Sequence, residues 1–187
     1  VNVVKAFAPE HGFRGNKSNG AHINDGVDTV SGLRILSLHG KHRKPSAESI
    51  SDVDVIVFDI QDVGARFYTY LSTLLLVMEC AAENDVKIVV LDRPNPHAHH
   101  VQGPMLDRSF SSFVGLAPVP IIHGMTLGEI AQTLMVSQSN LIVAQFQTLN
   151  VAFTLTITVM NGSYLMIQTF ILTSLKMVDG MVERVTP

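Results

Sequence analysis

A mostly apolar run that stops abruptly in polar groups constrains this chain more than any other feature. Val53 to Ile60 (VDVIVFDI) is nearly continuous in large apolar residues and halts at Gln61, Asp62 and Gly64. Such a run reads as a strand buried on both faces of a parallel sheet. Arg66, Tyr68 and Tyr70 then open a helical pattern, in which Phe67, Tyr70, Leu71, Leu74, Leu75, Met78, Ala81 and Ala82 recur at three- and four-residue spacing. That spacing puts them on one apolar stripe. Strand, polar turn and helix, in that order, is how α/β proteins build sites at strand carboxyl ends.

The arrangement recurs along the chain. A β-branched segment over residues 1 to 7 runs into Ala8-Pro9-Glu10-His11-Gly12, and Ile35 to Leu38 is a second short strand candidate. Lys87 to Leu91 runs into Asp92-Arg93-Pro94-Asn95-Pro96, where the prolines enforce an extended exit. Val119 to Ile122 is read as a strand ending at His123-Gly124. Pro45-Ser46 before Ala47, Glu48 and Ile50 predicts a short helix, and Thr126-Leu127-Gly128-Glu129 is a capping box that starts another, through about Met135. Residues 16 to 32, rich in Gly, Asn, Asp and Ser, are expected to be surface loop. The alternation predicts an α/β fold, a Rossmann-like, mostly parallel sheet flanked by helices.

Length fits one domain, and no linker divides the first 135 residues. The last third is different, because Ile130 to Leu175 contains no Asp, Glu, Lys or Arg. Gln, Asn, Ser and Thr interrupt it too often for a membrane span, which needs about 18 apolar residues in a row. Thr154 to Met160 alternates like a strand, Asn161-Gly162 is a turn signal, and Tyr164 to Met177 combines β-propensity with low charge. Such a surface is expected to need a partner, the rest of a longer chain, or a corrected sequence.

Charge and motifs exclude several classes. The net charge is -3 with 13 Lys plus Arg, which leaves no basic stripe for nucleic acid. With one cysteine, Cys80, no internal disulfide forms. The first residues lack the basic, apolar and small-residue regions of a signal peptide. Lys41 to Lys44 (KHRK) reads as a solvated loop rather than an anion contact. His97, His99 and His100 are of a type that suits zinc or copper, but adjacent histidines in a loop, without Cys or Glu at helical spacing, lack the pattern of a metal site. No metal or cofactor is expected. GxSxG, P-loop, GxGxxG and HExxH motifs are all missing from the sequence.

Four strand ends therefore carry ionisable groups: Glu10 with His11, Asp62 with Arg66, Asp92 with Arg93, and His123. In an open parallel sheet such ends share one edge, so the four turns are expected to converge on one pocket. Each group also has a structural reading. Asp62 would cap the following helix, Arg66 and Asp92 would form an ion pair, Tyr68 and Tyr70 would pack, and His123 would be a loop histidine. Glu10 is harder to explain structurally, since it follows Pro9 at a strand end with no helical periodicity around it. A set of this kind suits glycoside hydrolysis, with Glu10 as the acid and Asp62 or Asp92 as the second carboxylate.

The segments AFAPEHGFRG (6 to 15), SGLRILSLHGKHRKP (31 to 45), DVIVFDIQDVGARFYTY (54 to 70), VLDRPNP (90 to 96), GPMLD (103 to 107) and SFVGLAPVPIIHGMTLGEIA (112 to 131) together resemble the NamZ-type exo-β-N-acetylmuramidase family. The resemblance implies a Rossmann-like domain, a smaller second domain and a cleft between them. It implies removal of N-acetylmuramic acid from the non-reducing ends of peptidoglycan fragments, without a cofactor, in the periplasm or outside the cell. Glu10 then corresponds to the catalytic acid, with Asp62 as the second catalytic candidate. His11, Arg14, Arg66, Tyr68, Asp92, Arg93 and His123 would hold the sugar or muropeptide, whose lactyl carboxylate suits an arginine fork. Against the family pattern the chain lacks a first strand, carries HAHH where a glycine-containing turn is usual, and diverges after about Gln138. The organisation expected is thus a partial Rossmann-like catalytic-type domain over 1–137 and a divergent tail over 138–187, the start of a second domain or a sequence artefact. A catalytically inactive sugar-binding or scaffold fragment is the alternative function.

Overall fold

The computed structural model describes residues 2–18 and 20–134 in full, and 141–149, 152–159 and 163–168 as backbone strands. The chain divides into two compact units, Val1–Val53 and Asp54–Pro187.

The first unit contains β1 (Lys5–Ala8), β2 (Gly26–Val27), β3 (Arg34–Ser37) and α1 (Ala47–Ile50). β1 pairs in parallel with β3, from Lys5 opposite Arg34 to Ala8 opposite Ser37. β2 adds antiparallel to the other side of β3, inside the segment expected to be loop. Ala8, Ile23 and Ile35 form the core between these strands. Ser46 caps α1, its Oγ accepting the Ser49 N–H at 3.2 Å, as a serine before a helix start should. Lys5 ties the base of β1 to the end of α1 by donating to the Ser49 carbonyl and pairing with Asp52.

The second unit contains β4 (Val55–Phe58), α2 (Tyr70–Glu83), β5 (Lys87–Asp92), a 3-10 turn at Arg108–Phe110, α3 (Leu127–Leu134), β6 (Leu141–Leu149), β7 (Ala152–Val159) and β8 (Ser163–Gln168). The sheet order is β4-β5-β6-β7-β8. β4, β5 and β6 are parallel, and β7 and β8 continue antiparallel. α2 buries Leu71, Leu74, Val77, Met78 and Ala81, the face that its three- and four-residue spacing defines. The alternating Thr154 to Met160 segment lies largely within β7. Asn161-Gly162 and residues 169–177 lie outside the described residues.

Three elements differ from their sequence-based reading. The 53–60 run is a strand only over Val55–Phe58 and is buried on one face, by Ile56 and Phe58, while Val55 and Val57 on the other face are 42 and 52% exposed, so the apolar run does not mark burial on both faces. The helix starts at Tyr70 rather than near Arg66, because residues 65 to 69 are drawn into contacts with the 121–122 segment. Ala65 bridges Ile122, and Arg66 N–H donates to the Ile121 carbonyl at 2.8 Å. Val119 to Ile122 is not a strand. Ile122 forms isolated bridges to Ala65 and Gln102, while Pro118 and Pro120 remove the N–H groups that a ladder would need. Among the described residues, no helix is long and apolar enough to cross a membrane.

Candidate functional site

In the first unit the end of β1 delivers a tight turn. Ala8 and Pro9 are buried, and the Gly12 N–H closes the turn on the Pro9 carbonyl at 3.0 Å. His11 stands at φ +71°, a conformation that is uncommon outside glycine and tends to persist only where surrounding contacts hold it. Those contacts are present: the His11 Nδ1 lies 3.0 Å from the Lys17 carbonyl, and the Lys17 N–H returns to the His11 carbonyl at 3.2 Å. Glu10 sits half-buried on this turn, with Oε1 accepting the Gly20 N–H at 3.0 Å. Arg14 grips Asp28 with both arms of its fork, at 2.9 and 2.6 Å, and Asp28 also accepts from the Ser31 N–H and hydroxyl. The Arg14 guanidinium and the Ser31 donors hold the Asp28 carboxyl well below the usual carboxylate range.

In the second unit the turn after β4 is built around Asp62. Asp62 Oδ2 accepts the Gly64 N–H at 2.7 Å, an Asx turn. It does not cap α2, whose N-cap is Thr69. His123 Nε2 lies 3.5 Å from the same oxygen, too long for a hydrogen bond. Asp62, Arg66 and His123 are 6, 7 and 2% exposed. Arg66 donates to the carbonyls of Val119 (2.9 Å) and Pro104 (3.1 Å); it is these carbonyls, not Asp92, that the guanidinium engages. Asp62 Oδ1, Arg66 Nε and both ring nitrogens of His123 are buried without a hydrogen-bond partner. Tyr68 meets Tyr70 edge-to-face at 4.9 Å, so both rings pack, as the structural reading of each allowed.

Asp92, at the end of β5, is the anchor of α3. Its Oδ2 accepts from the Thr126 hydroxyl at 2.6 Å, and its Oδ1 accepts the Gly128 N–H at 2.8 Å. The capping box closes in both directions, Thr126 N–H to Glu129 Oε2 at 2.8 Å and Glu129 N–H to Thr126 Oγ1 at 3.1 Å. Burial pushes the Asp92 carboxyl up from its ordinary pKa, against the lowering effect of the Thr126 and Gly128 hydrogen bonds. Arg93 pairs with Asp59. Asp62, Asp92, Arg93 and Asn95 line one small cavity of about 10 Å3, roughly the volume of one water.

Of the residues expected to act together, the second unit brings Asp62 beside His123, with Asp92 and Arg93 around the cavity that Asp62 also lines, while the Arg66 guanidinium is engaged by the Pro104 and Val119 carbonyls. Glu10, His11 and Arg14 belong to the first unit. Asn95 is a residue that the sequence reading passed over. It is 6% exposed, donates to the Met125 carbonyl at 2.8 Å and accepts the His97 N–H at 2.7 Å. It also packs against Gly64, where a Cβ would lie 2.1 Å from its Oδ1. Its signal was an amide held between two prolines at a strand end.

Together these features define an α/β protein whose turns carry carboxylates, arginines and a buried histidine. The chain belongs to the family described as exo-beta-N-acetylmuramidase NamZ, N-terminal, which matches residues 1–178. It is 47% identical over 132 residues to the peptidoglycan beta-N-acetylmuramidase NamZ of Bacillus subtilis (strain 168), covering 70% of this chain and 32% of that protein. Among solved structures it is similar to two DUF1343 family proteins of Bacteroides fragilis NCTC 9343. One has a TM-score of 0.68 and 43% identity, covering 76% of this chain and 37% of the other. The second has a TM-score of 0.61 and 50% identity, covering 71% of this chain and 34% of the other. The chain thus spans about a third of the length of these relatives.

Proposed function

We propose that this chain serves the hydrolytic release of N-acetylmuramic acid from the non-reducing ends of peptidoglycan fragments, in the periplasm or outside the cell, as part of cell-wall turnover. The observation that carries the reading is the family match over residues 1–178, which spans Glu10 and Asp62 alike. Glu10 is the general acid, giving its proton to the leaving glycosidic oxygen. Asp62 is the second carboxylate, which stabilises or attacks the anomeric carbon as positive charge develops there. His11, Arg14, Arg66, Tyr68, Asp92, Arg93 and His123 hold or shape the sugar site. No step needs a metal or cofactor.

The buried polar residues of the second unit support a functional role. Asp62, Arg66 and His123 retain hydrogen-bonding capacity that the fold does not use, and such groups gather at sites more often than in ordinary cores. The test is release of N-acetylmuramic acid from a chromogenic muramide by the chain and by its Glu10→Gln variant. Turnover lost in the variant supports Glu10 as the acid, and undiminished turnover sinks that assignment. Muropeptide binding by calorimetry with no turnover from the unaltered chain would favour the sugar-binding module instead.

A further inference from the structure

The turn that carries Glu10 places a histidine at its strained position. Pro9 to Gly12 is closed by the Gly12 N–H on the Pro9 carbonyl at 3.0 Å, and His11 takes the third place at φ +71°. Turns with a positive φ at that place ordinarily carry glycine or asparagine there. Backbone geometry alone gives no reason for an imidazole, so the reason lies in what the ring holds.

The ring holds the loop that follows. Its Nδ1 lies 3.0 Å from the Lys17 carbonyl, and because a carbonyl only accepts, Nδ1 carries the hydrogen. The Lys17 N–H returns to the His11 carbonyl at 3.2 Å. Packing seats Lys17 as well: a Cβ at Gly12 would come 3.3 Å from its Cγ and 3.6 Å from Ile23 Cδ1, and Ile23 belongs to the core of this unit with Ala8 and Ile35. From that fixed point the chain turns once, the Ala21 N–H closing on the Ser18 carbonyl at 3.0 Å. The same turn presents the Gly20 N–H to Glu10 Oε1 at 3.0 Å. Gly20 is thus one of the holds on the Glu10 carboxyl, and the ring next to Glu10 in the sequence sets its place.

We propose that His11 is a positioning residue for Glu10: its Nδ1–H clasps the Lys17 carbonyl, and the clasped loop aims the Gly20 amide at the Glu10 carboxyl. The catalytic consequence rests on the reading of Glu10 as the acid; the clasp itself does not. A general acid acts only within hydrogen-bond reach of the oxygen that it protonates, and a displacement of about 1 Å can lower a rate about a hundredfold. A direct contact of the ring with the sugar would instead use Nε2, because Nδ1 is taken by Lys17.

Three variants of the full chain separate the two nitrogens. In His11→Asn the side-chain amide takes the place of Nδ1 on the Lys17 carbonyl, and asparagine tolerates a positive φ. In His11→Gln the amide reaches the place of Nε2, and the clasp is lost. His11→Gly relieves the backbone and has no side chain, so a defect there does not come from strain. The first readout needs no turnover: the Gly20 amide proton shift is followed by NMR through the titration of Glu10, with Glu10→Gln as the blank. Its excursion should shrink by about half or more in the Gln and Gly variants and return in the Asn variant. The second is hydrolysis of the chromogenic muramide. There kcat should fall at least about tenfold in the Gln and Gly variants with KM within about twofold, and Asn should restore most of the loss. An excursion unchanged in His11→Gly overturns the clasp, whether or not the chain turns over substrate. Turnover kept in His11→Gln but lost in His11→Asn overturns it in favour of a sugar contact through Nε2. The expected excursions together with undiminished turnover in Glu10→Gln sink the acid reading and leave the clasp standing.

Discussion

Gly64 to Ala tests whether the turn after β4 is held by close packing against Asn95. Gly64 stands at φ +79°, and placing a side chain in the left-handed region costs about 1 kcal/mol. The new Cβ would lie 2.1 Å from Asn95 Oδ1 and 2.8 Å from its Cγ and Nδ2, so Asn95 must leave its seat. It then gives up its bonds to the Met125 carbonyl and from the His97 N–H, each worth about 1 kcal/mol. The sum is about 3 kcal/mol, a large part of the roughly 5–15 kcal/mol that holds a typical domain together. With a urea slope of about 2 kcal/mol/M, the midpoint should fall by about 1.5 M. Asn95→Ala alone should cost about 2 kcal/mol by the same bonds. In that background Gly64→Ala should cost only the backbone part, about 1 kcal/mol, so the cycle should show coupling of about -2 kcal/mol. An additive cycle, or a Gly64→Ala loss below about 1 kcal/mol, would refute the packing argument.

Thr126→Val removes the hydroxyl that both donates to Asp92 and caps α3; it should cost about 1–2 kcal/mol in urea unfolding, whereas Thr126→Ser should recover most of it. Asp92 has its pKa raised in the folded state, so its stabilising contribution is fullest below the ordinary carboxylate value and is lost as pH rises through the folded value. The stability of the unaltered chain relative to Asp92→Asn should therefore improve as pH falls from 7 toward about 4, measured by urea melts across that range. Asp28 has the opposite sign, since Arg14 and Ser31 lower its pKa. Its contribution is present above the ordinary carboxylate value and lost as pH falls through the folded value, and Arg14→Gln should flatten that acid limb when protection of the Ser31 amide is followed by hydrogen exchange.

What was legible in the sequence was whatever a short window determines. The periodicity of α2, the β5 run, Ser46 as a cap and the reciprocal Thr126–Glu129 box all depend on neighbours within one turn or one pleat, and each appears where its residues place it; the 53–60 run gives a strand too, but one whose Val55 and Val57 face is exposed. Illegible features depended on partners far along the chain. The start of α2 is set by the 121–122 segment, more than fifty residues away. Asp92 reads as a site carboxylate until Thr126 and Gly128 are seen on it, and Arg66 reads as its ion-pair partner until the carbonyls of Pro104 and Val119 are seen instead.

Burying Asp62, Arg66 and His123 is expensive as a stabilising device. A buried polar atom without a partner costs about 1–3 kcal/mol, and four such atoms stand here: Asp62 Oδ1, Arg66 Nε and two ring nitrogens of His123. Apolar residues of similar size would pack the same volume without that penalty. The fold tolerates these residues because the backbone around them is tightly held. The Gly64 N–H bonds Asp62, the Arg66 N–H bonds the Ile121 carbonyl, and Asn95 fills the space over Gly64. Rigid backbone around under-used polar side chains is the arrangement of a preorganised site, in which hydrogen-bonding capacity is kept for a ligand rather than satisfied within the protein. His123→Phe should therefore leave the urea midpoint equal to or above that of the unaltered chain while weakening binding of N-acetylmuramic acid. A midpoint lowered by more than about 2 kcal/mol of stability, with binding unchanged, would mean instead that His123 serves the core.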